Sequence, residues 1–156
     1  MRRCQRGGSL DMEDWLVDLA NQRGATVVFR QTGRLGEHEL PAPGEFSNEE
    51  LVVALCQMNC LDRPQILRLP AQLISRNELD LARVVRLARM ERATRVLREL
   101  AVQALKVDPQ HPAWLTIAQA YQGELPLAEP LIHWTRLAEP VFAPRTGRPI
   151  RWKLVA

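Results

Sequence analysis

Residues 79–107 run without a Gly or a Pro, and the phase of their apolar positions decides what they can form. Advancing each residue by ~100° puts Leu81, Val84, Val85 and Ala88 on one helical face. Ala93, Val96, Leu97, Leu100, Ala104 and Val107 share a second face, rotated from the first by roughly 130° on ideal geometry. One straight helix cannot bury both, so the segment predicts two helices with a break or sharp bend at 90–92. The arginines agree. Arg83, Arg86, Arg89, Arg92, Arg95 and Arg98 recur at every third residue, which on an unbroken helix would carry some of them into the core. With a break, each triplet lies opposite its own apolar face.

Helix signals surround this segment. Ser47-Asn48-Glu49-Glu50 has capping-box spacing and predicts a helix to about residue 59. Asp62-Arg63-Pro64 restarts the chain to about residue 74, and Ser75-Arg76-Asn77-Glu78 repeats the box. Asp108-Pro109 ends the long run, and Pro112 opens a helix to about residue 121. A last short helix is expected over about 128–138, stopped by Pro140. Upstream, Ser9 is placed to cap a helix over about 10–22 that Gly24 stops.

Extended signals stand at the two ends. Ala25-Thr26-Val27-Val28-Phe29-Arg30 is β-branched and aromatic, and Thr32-Gly33 turns into a weaker stretch over 34–40. Val141-Phe142-Ala143, the turn Pro144-Arg145-Thr146-Gly147 and residues 149–155 read as a hairpin, in which Ile150, Trp152 and Leu154 alternate inward against Arg151 and Lys153. The expected fold is a mostly α, α+β single domain over 9–156. A basic, glycine-containing leader (1–8) precedes a helix plus strands (9–46), a helical body (47–139) and a basic C-terminal hairpin (140–156). The two extended regions are expected to share one small sheet.

Charge is divided along the 156 residues: 1–62 carry six Arg against ten acids, and 63–156 carry fifteen Lys and Arg against eight. The basic part either faces nucleic acid or takes the acidic stretch 37–50 as an internal partner. Nineteen Arg against two Lys suits bidentate phosphate or carboxylate recognition, although a GC-rich genome gives the same bias. Cys4, Cys56 and Cys60, with no apolar run after the basic leader, point to the cytoplasm.

Chemistry-bearing patterns are sparse. Cys56 and Cys60 share a helical face, but no second ligand pair follows, so burial in the core is the expectation and no metal or other cofactor is assigned. His38, His111 and His133 stand apart from any nucleophile, and no glycine-rich phosphate loop or G-x-S-x-G is present. A non-enzymatic chain is expected. Trp15, Trp114, Trp134 and Trp152 are expected mostly in the core, where an indole also suits an interface.

Two resemblances bear on function. Residues 101–109, AVQALKVDP, followed by 113–121, AWLTIAQAY, resemble the junction between tetratricopeptide-type repeats. The match spans about 21 residues. It departs from the pattern in a short Pro109-to-Trp114 spacing, in the place of Gly123, and in lacking a second copy. The resemblance implies a helical groove that binds a protein segment. The layout of helices at about 112–121 and 128–138 before an Arg-rich hairpin is similar to a winged helix. That likeness implies phosphate contacts from the hairpin and base-edge contacts from His133, Thr135 and Arg136. The leading expectation is a bacterial protein-binding subunit, such as the small partner in a toxin-antitoxin-like pair. The alternative is a DNA-binding regulator. For either partner, the contact residues singled out are Arg83, Arg86, Arg89, Arg136, Arg145, Arg148, Arg151 and Lys153.

Overall fold

The computed structural model describes residues 13–26, 44–57, 64–76 and 78–155. Helix α1 covers 13–22 and buries Leu16, Val17, Leu19 and Ala20. It ends where sequence places the stop: Gly24 takes φ +95°, and the Ala25 N–H reaches back to the Ala20 carbonyl at 2.9 Å. The strand expected over 25–30 and the stretch 34–40 lie outside the described residues, except Ala25 and Thr26, which are not in a strand.

Helix α2 (Asn48–Gln57) begins at the expected cap, with the Glu50 N–H donating to Ser47 Oγ at 3.1 Å. Only half of the capping box forms, because the Glu50 carboxylate turns to Arg83. A 3₁₀ turn (Pro64–Leu67) leads into α3 (Arg68–Arg76), so the single helix read from sequence is divided in two. Pro70 is tolerated in the first turn of α3, where its missing N–H would have no intrahelical partner.

The second capping box does not cap. Ser75 lies inside the last turn of α3, and α4 (Leu81–Met90) is capped by Asp80, whose carboxylate accepts the Arg83 N–H at 3.1 Å. The break read from the apolar phase is present. Helix α4 ends at Met90, Arg92 adopts φ +59°, and α5 (Thr94–Val107) starts after it. The Ala93 N–H closes the end of α4 on the Ala88 carbonyl at 2.8 Å, the six-to-one bond of a left-handed helix stop.

Helix α6 (Pro112–Ala120) opens with Pro112 and packs back on α5. Trp114 and Ile117 of α6, and Tyr121 just after it, are buried with Leu97, Leu100, Ala101 and Ala104 of α5. Each fully buried Leu or Ile here contributes about 1.5–3 kcal/mol of transfer free energy. The helix expected at 128–138 is replaced by an irregular stretch and a 3₁₀ turn, Trp134–Leu137. The turn ends where the hairpin begins, because Ala138 already pairs with Leu154 across the strands.

The chain closes as a two-stranded antiparallel hairpin of β1 (Ala138–Phe142) and β2 (Pro149–Leu154). It is the one sheet among the described residues, and its base packs on α5 and the 3₁₀ turn. The fold is therefore mostly helical, with six α-helices and a C-terminal hairpin among the described residues. None of the described helices is long and apolar enough to cross a membrane.

Candidate protein-docking surface

The eight basic residues read from sequence fall on three elements: α4, the 3₁₀ turn Trp134–Leu137 and the hairpin. On α4, Arg83 is bound internally: Nη2 meets Glu50 Oε1 at 2.7 Å, and Nη1 lies 3.8 Å from Glu49. The acidic stretch thus takes this arginine. Arg89 is also engaged, donating from Nη2 to the Ala120 carbonyl at 3.1 Å, with its guanidinium 5.6 Å from the centroid of the Tyr121 ring. Arg86 is exposed.

Arg136, exposed on the 3₁₀ turn, offers its carbonyl to Arg68 Nε at 2.9 Å. Burial, and then the neighbouring Arg136 cation, lower the Arg68 guanidinium pKa below its ordinary value. His133 caps the turn by accepting the Thr135 N–H on Nδ1 at 3.3 Å. It belongs to no recognition helix, so the winged-helix layout lacks its base-reading element.

The remaining four residues lie on the hairpin or its turn. Lys153 pairs with Glu139 at 3.1 Å, directly across the strand register. Arg145, Arg148 and Arg151 are exposed, and their guanidinium groups have no ion-pair partner among the described residues. Gly147 at φ +67° forms the turn, closed by the Ala143 N–H on the Arg148 carbonyl at 2.8 Å.

Sequence reasoning missed the opposite character of the hairpin's other face. Ala138 opposes Leu154 and Pro140 opposes Trp152, so strand alternation places these residues together. Leu154 is buried at the base; Trp152 is 43% exposed, Phe142 55% and Ile150 62%. Trp152 was expected inside. It instead stands at the boundary, edge-on to Trp134 with ring centroids 5.7 Å apart. The alternation holds from Leu154 to Trp152; a register shift between Val141 and Phe142 interrupts it before Ile150, which stands exposed although its place in the pattern points inward.

A concave surface lies elsewhere, between α2 and α4. Phe46, Val53, Ala54 and Leu87 floor an open groove of about 290 Å³, with Glu50, Gln57 and Glu91 at its rim. Gln57 Nε2 donates to the backbone carbonyl and to the side chain of Glu91, each at 3.0 Å. No His, Cys, Asp and Glu cluster suited to a metal ion occurs among the described residues, and Cys56 is a buried free thiol. Cys4 and Cys60 lie outside the described residues. No family model, curated protein or solved structure matches this chain.

Proposed function

We propose that this chain is a non-catalytic, cytoplasmic protein-binding module, either a complex subunit or the small member of a toxin-antitoxin-like pair, with the C-terminal hairpin as its contact element. The observation that carries this reading is the run of exposed apolar residues on the hairpin: Trp152 shares a face with buried Ala138 and Leu154, and beyond it, past a register shift between Val141 and Phe142, Phe142 and Ile150 are exposed at the tip. Exposed aromatic residues flanked by arginines have the composition of interface hot spots. Pro140 and Pro149 remove backbone donors from the two strands, which disfavours recruitment of an extra strand and leaves the side-chain face as the binding element.

The test compares capture from an extract of the source cells by tagged wild type, a Phe142→Ser/Ile150→Ser double variant and Leu125→Ser, which alters an exposed leucine away from the hairpin. A partner held by wild type and Leu125→Ser but lost by the double variant is the expected result. Equal capture by all three removes the hairpin from the reading. The free Arg145, Arg148 and Arg151 also support a second reading, contact with DNA phosphates. Binding of a random duplex that weakens steeply between about 50 and 200 mM salt would favour it.

A further inference from the structure

Resting on that reading, we propose that the hairpin's occupant is a second copy of this chain, whose groove between α2 and α4 receives the apolar tip. The two surfaces are complementary in shape class and in charge. One is a projecting apolar element, Phe142 and Ile150, bordered by unpaired Arg145, Arg148 and Arg151. The other is an apolar concavity over Val53, Ala54 and Leu87, where Glu91 at the rim has no ion-pair partner among the described residues. Its volume, about 290 Å³, is at the small end of ligand pockets and suits one or two side chains.

The exposed Met90 stands one helical turn beyond Leu87 and extends the apolar strip outside the groove. In the same copy, the hairpin is held against α5 and the 3₁₀ turn, while the groove is built from α2 and α4. Occupation from within one chain would require the hairpin to leave its own core contacts at Leu154. A second molecule has no such cost. Reciprocal seating of two hairpins in two grooves forms a closed two-fold dimer, with the same contact made twice.

The experiment measures the mass of the full chain by light scattering across a concentration series, for wild type and for three variants checked for folding by circular dichroism. Phe142→Ser/Ile150→Ser alters the hairpin, Ala54→Arg blocks the groove, and Glu91→Arg reverses the rim charge at an exposed position, at the loss of one side-chain hydrogen bond from Gln57. Wild type is expected to dimerise, and each variant to weaken the dimer by at least about tenfold, a change of about 1.4 kcal/mol. Mixing the hairpin and groove variants is expected to restore a heterodimer through the one contact that remains intact.

A wild type that stays monomeric throughout, a dimer indifferent to all three variants, or a mixture that restores nothing would each overturn self-docking. Salt-sensitive binding of a single-stranded oligonucleotide by the monomer, lost in the hairpin variant, would also overturn it. Failure here is separable from failure of the broader reading. A monomer that still captures another protein through Phe142 and Ile150 leaves the hairpin as the contact element and changes only its partner.

Discussion

The Tyr121 hydroxyl donates to the Val85 carbonyl at 2.9 Å, tying the end of α6 to the middle of α4. Tyr121 is buried, and burial pushes its phenol up to about 12, an effect that the nearby Arg89 cation partly opposes. Because the folded-state pKa is raised, the associated stability is fully present below the unfolded value near 10 and is lost as pH rises through about 12. Urea melts of wild type are therefore expected to weaken between about pH 10 and 12 more steeply than those of Tyr121→Phe. At neutral pH that variant is expected to lose about 0.5–1.5 kcal/mol, the net worth of one hydrogen bond.

Arg92 and Gly24 occupy equivalent left-handed positions after α4 and α1, and only one of them is a glycine. Arg92→Gly removes the Cβ penalty but loosens the unfolded chain, for a net gain of about 0.5–1 kcal/mol. Gly24→Ala acts in the other direction. A Cβ there would sit 3.2 Å from Arg76 Nη1, whose guanidinium donates to the Gly24 carbonyl. With the strain of φ +95°, the loss is about 1–2 kcal/mol. Thermal melts of the two variants should shift in opposite directions.

Ser75 joins α3 to α6 twice. Its Oγ accepts the Trp114 indole N–H at 3.0 Å, and its carbonyl accepts His111 Nε2 at 3.1 Å. Ser75→Ala keeps the second bond and strands the indole donor of a buried tryptophan, at a cost of about 1–3 kcal/mol. Denaturant titration followed by Trp fluorescence measures this, and Ser75→Thr, which keeps the hydroxyl, is expected to recover most of the loss.

The hairpin separates stability from recognition along its own length. Phe142→Ser and Ile150→Ser alter exposed tip positions and are expected to change unfolding free energy by no more than about 0.5 kcal/mol each. Leu154→Ala at the buried base is expected to cost about 2 kcal/mol or more. Equal losses at tip and base would mean that the tip is packed and not presented.

How far the sequence could be read depended on whether a signal was local. The separation of α4 from α5 was legible because two apolar phases cannot share one axis, and the hairpin because turn residues stand between alternating stretches. Ser75 was misread because its hydroxyl is claimed by Trp114 of α6, a partner 39 residues away that no capping pattern contains. Arg83, singled out as a contact for a protein or nucleic-acid partner, pairs with Glu50, as the charge division between the two parts of the chain allowed. The helix expected at 128–138 gave way to the hairpin, whose pairing already begins at Ala138 with Leu154. The groove was invisible, since it depends on how α2 and α4 lie side by side with Phe46 at its end.

Trp152 has a consequence for anyone who studies association. Trp114 is buried and Trp15 and Trp134 are half-buried, so the indole with the most access to water is the one that stands beside the tip. The chain carries its own optical reporter, unlabelled, at the boundary between core and solvent. A molecule settling over Phe142 and Ile150 will dehydrate that indole and shift its emission to the blue, so occupancy can be followed in the native protein without altering a residue.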